Sequence, residues 1–558
     1  MKHLANYVMG ADFGSDSVRV VVLDARNGEV VASEVSYYKR WKEGLYCNPA
    51  INQFRQHPLD YIESFETAVK NIAGSQAACM QSIRALCIDT TGSTPVLCDA
   101  EGIPLSLDPR FADDPDAMFI LWKDHTAILE ADEFNHLSRT WGGVDYTHYM
   151  GGSYSAEWFW AKLLHLARKK GKVIDEAVTA IEHCDWFPAL LTGTTAIESI
   201  KRSRCAAGHK MGWHASWGGY PASEFLGRLD PFLGKIHSSL GNETFTSDQI
   251  AGHIIEAWAT RLGLLAGIPV CVGSYDAHIG ALGGHVSKGV LVKSIGTSTC
   301  DIIIGPKAKP GEPEKPVKGI AGQVDGSVIP GFIGYEAGQS AYGDYYAWFK
   351  NLLMWPARSM EAIIGSVALE TMEANLLGLL EQASASVVVS ESSPVALDWI
   401  NGRRTPNANH TLKGALSGLS LGTDAPMVMR MLFEATAFGA RAILDCFEAG
   451  QVPIHSIVAI GGVARKSKTG MQILADVTGK RIHVTSNDQA PAIGAAVCAS
   501  VVAGLYPDIP TAQQALCAPI ASVYEPNEHQ KKLYDTLYAR YVELGRFEES
   551  QRRKSTGV

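Results

Sequence analysis

Two segments that lie far apart in the chain share one pattern: an apolar strand, a turn of small polar residues that begins with glycine, and a second β-branched strand. The first segment spans residues 7–24 and the second spans residues 289–304. A gapless alignment brings Gly14 opposite Gly296, a separation of about half of the 558 residues. A repeat of that length is too long for a solenoid and favours two domains of related architecture, each opening with a β-hairpin. Two unrelated hairpins remain the alternative, because glycine and serine are common in turns.

Strand-like and helix-like segments alternate along the rest of the chain. Apolar runs that are typical of buried strands occupy residues 84–89, 268–273 and 457–460. Segments with helical spacing occupy residues 59–73, 155–167, 489–504 and 527–553, and a proline-rich polar loop occupies residues 306–316. The alternation predicts the α/β class, and the chain is too long for one core. We expect an N-terminal domain over residues 1–286 and a C-terminal domain over residues 287–558.

Composition excludes several classes of protein. The net charge of −9 gives no basic footprint for nucleic acid or an anionic membrane, and no apolar run reaches the 18 residues of a spanning helix. The first nine residues lack the pattern of a signal peptide. The 11 cysteines are scattered and form no C-x-x-C pair, which argues against a disulfide framework and a structural zinc site. We therefore expect a cytoplasmic protein without a nucleic-acid or membrane partner.

Familiar nucleotide motifs are absent from the chain. It contains no G-x-x-x-x-G-K-[ST] loop, no G-x-G-x-x-G fingerprint and no H-E-x-x-H metal motif. A nucleotide would therefore have to bind without a Walker loop or a Rossmann turn.

The two hairpin turns are the alternative place for phosphate. Gly, Ser and Thr in the turns at 14–17 and 296–298 expose consecutive backbone N–H groups and hydroxyls with little side-chain bulk. Asp12 and Asp16 would repel a phosphate directly, so their presence at the first turn favours Mg²⁺ between carboxylate and phosphate. Two such turns from two domains are predicted to hold a triphosphate from either side.

A third glycine turn follows the strand at 457–460, where Gly461 and Gly462 open a predicted helix. Glycines at this position let a flat base or a ribose lie against the backbone. A tight strand-to-helix turn without any ligand fits the local sequence equally well, so both interpretations stay open.

Two further segments carry polar groups at the ends of apolar strands. Asp276 follows an apolar strand directly, where a carboxylate that faces a cleft is well positioned as a general base; His278 is its competitor for that role. The run Trp122-Lys123-Asp124 combines an aromatic face with both charges, as a carbohydrate site requires. A strand end with ordinary surface charges is the alternative interpretation.

These residues together resemble the FGGY family of carbohydrate kinases over nearly the whole chain. The resemblance rests on long stretches, namely residues 12–19, 91–95, 121–126, 157–162, 207–210, 295–301, 322–327, 334–340, 398–406 and 461–465. It implies a fold of the actin, hexokinase and Hsp70 type, with two ribonuclease-H-like domains and ATP in the cleft between them. It also implies phosphoryl transfer to a sugar, with ATP and Mg²⁺ as the cofactors.

The resemblance assigns roles residue by residue. It implies that Asp276 is the catalytic base and that Asp12 and Asp276 lie at the metal. For the sugar it implies Val96, Lys210, Asp276 and Glu336, which join Trp122, Lys123 and Asp124. For the nucleotide it implies Asp12, Gly14, Ser15, Asp16, Ser17, Arg19, Gly296, Thr297, Ser298, Gln339, Gly461, Gly462, Ala464 and Arg465.

Departures from the wider family narrow the expected substrate. His125 stands where most members have arginine, the first turn contains Gly-Ser-Asp, and Gln489 stands where glutamate is usual. The first two departures are typical of members that phosphorylate L-ribulose, so L-ribulose is the expected substrate. D-ribulose, L-xylulose and ribitol remain alternatives, as does a non-kinase ATPase on the same fold. The role of His125 and the oligomeric state, with a homodimer among the alternatives, stay open.

Overall fold

A computed structural model describes residues 6–309, 312, 314–487 and 489–556 of the chain. Residues 310, 311 and 313 of the predicted proline-rich loop therefore lie outside the description. Within the described ranges, no helix combines the length and the apolar character that crossing a bilayer requires.

The strands of the first half of the chain are β1 (Tyr7–Phe13), β2 (Ser17–Asp24), β3 (Val30–Tyr37), β4 (Arg55–Gln56), β5 (Ile83–Thr90), β6 (Pro95–Cys98), β7 (Phe119–Ile120), β8 (Thr179–Glu182), β9 (Ile250–His253), β10 (Pro269–Cys271) and β11 (Ser274–Tyr275). Those of the second half are β12 (Val290–Ile295), β13 (Thr299–Pro306), β14 (Gly322–Asp325), β15 (Phe332–Ala337), β16 (Val395–Ala396), β17 (Leu416–Ser417), β18 (Ser456–Ile460), β19 (Arg481–Thr485) and β20 (Ile520–Tyr524).

The helices of the first half are α1 (Lys39–Lys42), α2 (Pro58–Ser75), α3 (Ala77–Met80), α4 (Ile128–Thr140), α5 (Phe159–Lys169), α6 (Lys172–Glu176), α7 (His183–Thr192), α8 (Arg204–Lys210), α9 (Ser223–Leu229), α10 (Pro231–Ser238), α11 (Glu256–Leu262) and α12 (Asp276–Gly283). Those of the second half are α13 (Gly343–Ser359), α14 (Glu361–Ile364), α15 (Ser366–Ala385), α16 (Ala425–Ala449), α17 (Gly462–Lys466), α18 (Lys468–Thr478), α19 (Ala490–Val502), α20 (Ile509–Leu516) and α21 (Glu528–Thr556).

Two large sheets share one topology. The first has the strand order β3-β2-β1-β5-β10-β9, with β11 also paired to β5, and the second has the order β14-β15-β13-β12-β18-β19-β20. In each sheet an antiparallel hairpin (β1–β2, β12–β13) is followed by two parallel strands and an antiparallel edge strand. The predicted pair of hairpins and the α/β class are confirmed, and the duplication extends from the hairpins to the parallel strands beside them.

Two predicted elements differ from the sequence-based expectation. The strand expected at 268–273 is interrupted between β10 and β11, because Gly273 lies so close to α7 that a Cβ there would be 2.0 Å from the carbonyl oxygen of Cys184. The helix expected from residue 155 begins only at Phe159. Residues before it form a turn, in which the N–H of Trp158 donates to the carbonyl oxygen of Ser155 at 3.1 Å.

A layer of three helices lies between the two sheets. Helices α12, α19 and α20 bury their apolar side chains in one core together with residues of β1, β5, β12, β13 and β18. The outer faces of the sheets carry separate cores, the first built with α2, α7 and α11 and the second with α13, α16, α18 and α21. A further core joins α4, α5, α9 and α10 beside the first sheet. The central layer therefore connects both halves of the chain.

Glycines allow the central helices to cross at backbone distance. A Cβ on Gly494 of α19 would lie 1.9 Å from the carbonyl oxygen of Ile279 in α12, and one on Gly283 would lie 2.0 Å from that of Ala490. Gly10 of β1 meets α19 equally closely. Contacts this short leave no room for any side chain. The crossing therefore requires glycine at these positions.

We predict that Gly494→Ala destabilises the protein by about 1–3 kcal/mol or more, because the added methyl group forces α19 away from α12. The midpoint of urea unfolding measures this loss. Gly378→Ala is the matched control, since Gly378 lies on the exposed face of α15 with no atom near its missing Cβ. It should stabilise the helix by about 0.5–1 kcal/mol. Equal midpoints for the two variants would contradict the close crossing.

Candidate active site

Three carboxylates meet at one edge of the first sheet. Asp12 near the end of β1 and Asp89 in β5 are register partners on parallel strands. Strand β11 pairs with the same end of β5, and Asp276 follows it as the first residue of α12. The carboxyl ends of neighbouring parallel strands form the usual binding edge of an open α/β sheet.

Burial dominates the electrostatics of this group. It raises the pKa of Asp276 to about 7, with the nearby carboxylates of Asp12 and Glu336 adding to the effect. Burial also raises the pKa of Asp12, against the attraction of Arg19 at 3.9 Å. The pKa of Asp89 is raised well above its ordinary value, by burial and then by its two carboxylate neighbours. Like charges in a dry site cannot all ionise without a compensating cation.

Asp276 opens into a cavity of about 230 Å³ between the two halves of the chain. The cavity walls combine aromatic, charged and small polar groups from both sheets. Its lining includes Thr91, Gly92, Trp122, Ser155, Glu157, Trp158, Lys210, Asp276, His278, Gly296, Thr297, Ser298, Cys300, Glu336, Arg404 and His410. A concave site with convergent polar groups and perturbed pKa values is typical of a substrate site.

An ion pair between the two halves lies on the cavity wall. Nζ of Lys210 at the end of α8 donates to Oε1 of Glu336 in β15 at 2.5 Å, and Nζ also lies 5.1 Å from the ring centre of Trp158. Burial alone would raise the pKa of Glu336, but Lys210 and His278 outweigh it and the pKa is lowered. Glu336 is therefore an ionised acceptor within the cavity.

The two hairpin turns differ in length by one residue, since Phe13 pairs with Val18 and Ile295 pairs with Thr299, and both are fixed by backbone hydrogen bonds. The N–H of Gly14 donates to the carbonyl oxygen of Ser17 at 2.9 Å, and the N–H of Gly296 donates to that of Ser298 at 3.0 Å. The second turn lines the cavity, whereas the first turn reaches it through Ser15, whose Oγ accepts a hydrogen bond from Nε1 of Trp122 at 2.9 Å.

The Gly461–Gly462 turn lies directly behind the second hairpin turn. Gly461 has a φ of 96° and a Cβ there would be 2.6 Å from the carbonyl oxygen of Ile295. Gly462 begins α17, in which Ala464 is buried and Arg465 is exposed. The glycine at 461 is thus explained by a left-handed backbone and by a close approach to β12.

Two residues that the sequence assigned to the sugar lie away from the cavity lining. Asp124 is fully buried, where its Oδ2 accepts from the N–H of Phe54 at 2.7 Å and from Arg55, and its Oδ1 accepts from Oγ1 of Thr126 at 2.5 Å. Val96 is a fully buried core residue of β6. The partners of Asp124 leave its carboxylate no free acceptor for a ligand hydroxyl.

Lys123 and Gln339 also have their polar groups directed elsewhere. Nζ of Lys123 lies 4.9 Å from the ring centre of Trp41 and 4.6 Å from that of Phe54. The amide of Gln339 donates to Asp398 at 2.8 Å and accepts from Nζ of Lys293 at 2.9 Å inside the second half of the chain. Neither side chain lines the cavity.

Sequence reasoning missed several polar residues at the site. Oε1 of Glu157 accepts from Nε2 of His125 at 2.9 Å and from Arg404 at 3.4 Å, and His410 lies beside them on the cavity wall. Burial would raise the pKa of Glu157, but Arg404 and His125 hold it well below its ordinary value. Asp89 was missed as well, although its position at the end of a buried strand is the signal that identified Asp276.

The fold, the paired turns and the buried carboxylate beside a polar cavity together define a sugar kinase of the actin and hexokinase type. Residues 291–503 match the model of the C-terminal domain of the FGGY family of carbohydrate kinases. A xylulose kinase from Rhodospirillum rubrum has a similar structure, with a TM-score of 0.76 at 20% identity over 97% of this chain and 98% of that one.

Relatives in sequence extend over the whole length. A ribulokinase of Vibrio parahaemolyticus is 44% identical over 98% of this chain and 98% of its own. A ribulokinase of Halalkalibacterium halodurans is 35% identical over 96% of this chain and 94% of its own. The chain belongs to the FGGY family of carbohydrate kinases.

We predict that Asp124→Ala destabilises the protein by about 3–5 kcal/mol, because it leaves the buried guanidinium of Arg55 without its carboxylate. Urea unfolding measures the loss, and Asp108→Ala, which removes an exposed partner of Arg110, should change the midpoint little. Unchanged stability of Asp124→Ala with a raised KM for sugar would instead support the sequence-based assignment of Asp124 to the substrate.

Proposed function

We propose that the protein transfers the γ-phosphoryl group of ATP to the terminal hydroxyl of L-ribulose, giving L-ribulose 5-phosphate in the breakdown of L-arabinose. The observation that carries the proposal is the position of Asp276, at the start of α12 within a cavity that also exposes the second glycine turn and the Lys210–Glu336 pair. The names of the full-length relatives support the choice of ribulose over other sugars. We propose the cytoplasm as its location, which fits its free cysteines.

The sugar would lie between Asp276 and the Lys210–Glu336 pair. Lys210 donates and Glu336 accepts, so together they match hydroxyl and carbonyl oxygens along a short open chain. Trp122 and Trp158 line the same cavity and offer flat apolar faces to the C–H groups of the sugar. Two opposite charges with two aromatic faces suit a polyhydroxylated substrate better than an apolar one.

The nucleotide would lie against the two turns. The second turn borders the cavity and the first turn is linked to it by the Ser15–Trp122 hydrogen bond, which supports a triphosphate between them. Gly462 follows directly behind the second turn and has no atom near its missing Cβ, which leaves room for the adenosine. The proposed division into domains 1–286 and 287–558 falls between α12 and β12, so the two turns belong to different domains.

The residues at the sheet edge fit a magnesium ion. Among the described residues, no N–H or hydroxyl group donates to the buried carboxylate of Asp89, whose neighbours are the carboxylates of Asp12 and Asp276. A set of carboxylate oxygens is the donor type that Mg²⁺ prefers. When bound, Mg²⁺ supplies positive charge that balances the phosphate oxygens during transfer. Asp12 and Asp276 are the residues that would hold it, directly or through water.

The side chain of Asp276 would perform the proton transfer. A sugar hydroxyl is a poor nucleophile, so a base must accept its proton as the new P–O bond forms. The pKa of about 7 for Asp276 matches a group that accepts a proton during the reaction and returns it to water near neutral pH. Closure of the two halves around the substrates would exclude bulk water from the transferred group and limit hydrolysis of ATP.

A coupled assay with Mg-ATP tests the proposed substrate. Among the four 2-ketopentoses and ribitol, we expect the highest kcat/KM for L-ribulose, because the relatives that span the whole chain are ribulokinases. A higher kcat/KM for D-ribulose, L-xylulose or ribitol would assign the protein to that substrate instead. ATP hydrolysis that no sugar accelerates would contradict a kinase function.

We predict that Asp276→Asn lowers kcat by about 10²- to 10⁴-fold and leaves sugar binding nearly unchanged, because the amide keeps the shape and loses the base. Steady-state kinetics gives kcat, and the sugar-induced shift of the unfolding temperature reports binding. Asp132→Asn on α4 makes the same chemical change outside the cavity and should keep full activity. Near-normal turnover of Asp276→Asn would remove Asp276 from the mechanism.

A further inference from the structure

A buried group of metal-ligating side chains lies at the inner end of the cavity. The ligand atoms of Cys205, His209 and His278 all lie within 4.8 Å of one another, and all three residues are buried. Cys205 and His209 are four residues apart on α8 and therefore share one face of that helix, whereas His278 comes from α12. None of the steps proposed for the kinase reaction uses this group.

The hydrogen bonds of His209 determine which of its ring nitrogens is free. Oγ of Ser327 donates to the carbonyl oxygen of Val324 at 3.2 Å, so it is left to accept from Nε2 of His209 at 3.0 Å. With the proton on Nε2, Nδ1 carries a lone pair. Among the described residues Nδ1 has no hydrogen-bond partner. A partner on the second ring nitrogen that fixes the tautomer is a usual feature of a metal-ligating histidine.

Polar atoms of His209, His278 and Glu336 meet at the inner end of the cavity. Nδ1 of His209 lies 3.5 Å from Oε2 of Glu336, and Nε2 of His278 lies 3.7 Å from the same oxygen. Oε2 and both ring nitrogens of His278 also lack a hydrogen-bond partner among the described residues. Lys210 is bound to the other oxygen, Oε1. With the proton of His209 on Nε2, its Nδ1 and Oε2 of Glu336 are two buried acceptors 3.5 Å apart, a costly arrangement that a cation between them would relieve.

The distances from Glu336 match those around a tetrahedral ion, and the ligand atoms of Cys205, His209 and His278, which lie within 4.8 Å of one another, would draw closer on binding. Zinc ligands at about 2.0–2.3 Å from the metal in tetrahedral geometry lie about 3.3–3.8 Å from one another. The distances of 3.5 and 3.7 Å from Oε2 of Glu336 to the two histidines fall in this range. We propose that Cys205, His209, His278 and Glu336 form a binding site for a soft divalent cation such as Zn²⁺.

The chemistry of the ligands selects the ion. Thiolate and imidazole favour Zn²⁺, whereas the Mg²⁺ of a kinase prefers oxygen ligands and should not displace it. Histidine coordinates a metal ion through a neutral imidazole ring. Burial raises the pKa of Cys205 to about 12, so binding releases the thiol proton. Thiolate and carboxylate together balance the charge of the ion.

A bound ion would also affect the sugar, a consequence that depends on the proposed kinase function. Oε2 of Glu336 would coordinate the ion. Glu336 would then be less able to accept a hydrogen bond from a sugar hydroxyl. His278, which lines the cavity, would coordinate the ion and would no longer be available to the sugar. Zn²⁺ is therefore expected to raise the KM for the sugar with little change in kcat at saturating sugar.

The full-length protein in a non-thiol reductant tests the site by competition for Zn²⁺ with a chromophoric chelator. We expect one Zn²⁺ per chain, with an affinity that falls at least about tenfold in Cys205→Ser and in His209→Gln, since even outer partners of a ligand contribute that much. Cys446→Ser, on α16, is the matched control and should bind like the wild type. Co²⁺ should give a thiolate charge-transfer band in the wild type and in the control, but not in Cys205→Ser.

The kinetic measurement separates this proposal from the proposed function. Zn²⁺ should inhibit the wild type competitively with L-ribulose under excess Mg-ATP, and Cys205→Ser should keep its activity and lose the inhibition. Equal Zn²⁺ affinity in the wild type, Cys205→Ser and His209→Gln would refute the metal site even if the kinase is active. Zn²⁺ binding that depends on Cys205, without phosphorylation of any ketopentose, would refute the proposed function and support the site.

Discussion

The crossing of α12 and α19 between the two sheets is the contact on which the geometry of the site depends. Gly283 and Gly494 bring the two helices together at backbone distance, and Gly10 brings β1 against α19. Because Asp276 is the first residue of α12, its backbone position depends on this crossing. Close-packed backbone has few alternative arrangements, so the crossing holds one functional group in place relative to both halves of the chain.

The carboxylates at the sheet edge have the opposite effect, because they lower the stability of the fold. Asp12 and Asp89 are buried and Asp276 is half-buried beside them, and the loss of solvation raises the pKa of each. A fold that only needed to be stable would not gather three acids in a dry place. Such local cost persists where the surroundings enforce it and a ligand relieves it. The acids at this edge thus indicate a cationic ligand independently of any sequence similarity.

Much of the fold could be predicted from the sequence, because strand alternation and glycine turns are local signals. The two hairpins and the strand before Gly461 form as expected, and Asp276 lies directly after a strand as expected. The assignment of Asp124 shows the limit of that reasoning. A polar run beside a tryptophan is typical of a ligand site. In the structure, however, Arg55 and Phe54 from a distant segment of the chain donate hydrogen bonds to the carboxylate of Asp124. Local sequence does not specify which buried partner a polar group will meet.

The same limit explains why the Glu157–Arg404 contact escaped detection. Its members lie almost 250 residues apart in sequence, and only the packing of the two halves brings them to one wall of the cavity. The Lys210–Glu336 pair likewise joins α8 of the first half to β15 of the second. Both ion pairs therefore connect the halves at the place where a substrate would lie.

A ligand that exchanges hydrogen bonds with Lys210 and Glu336 must change the free energy of holding the halves together, because an interaction can shift a conformational equilibrium only through its differential contacts. The charged residues that form the cavity walls consequently link occupancy of the cavity to the relative position of the two sheets.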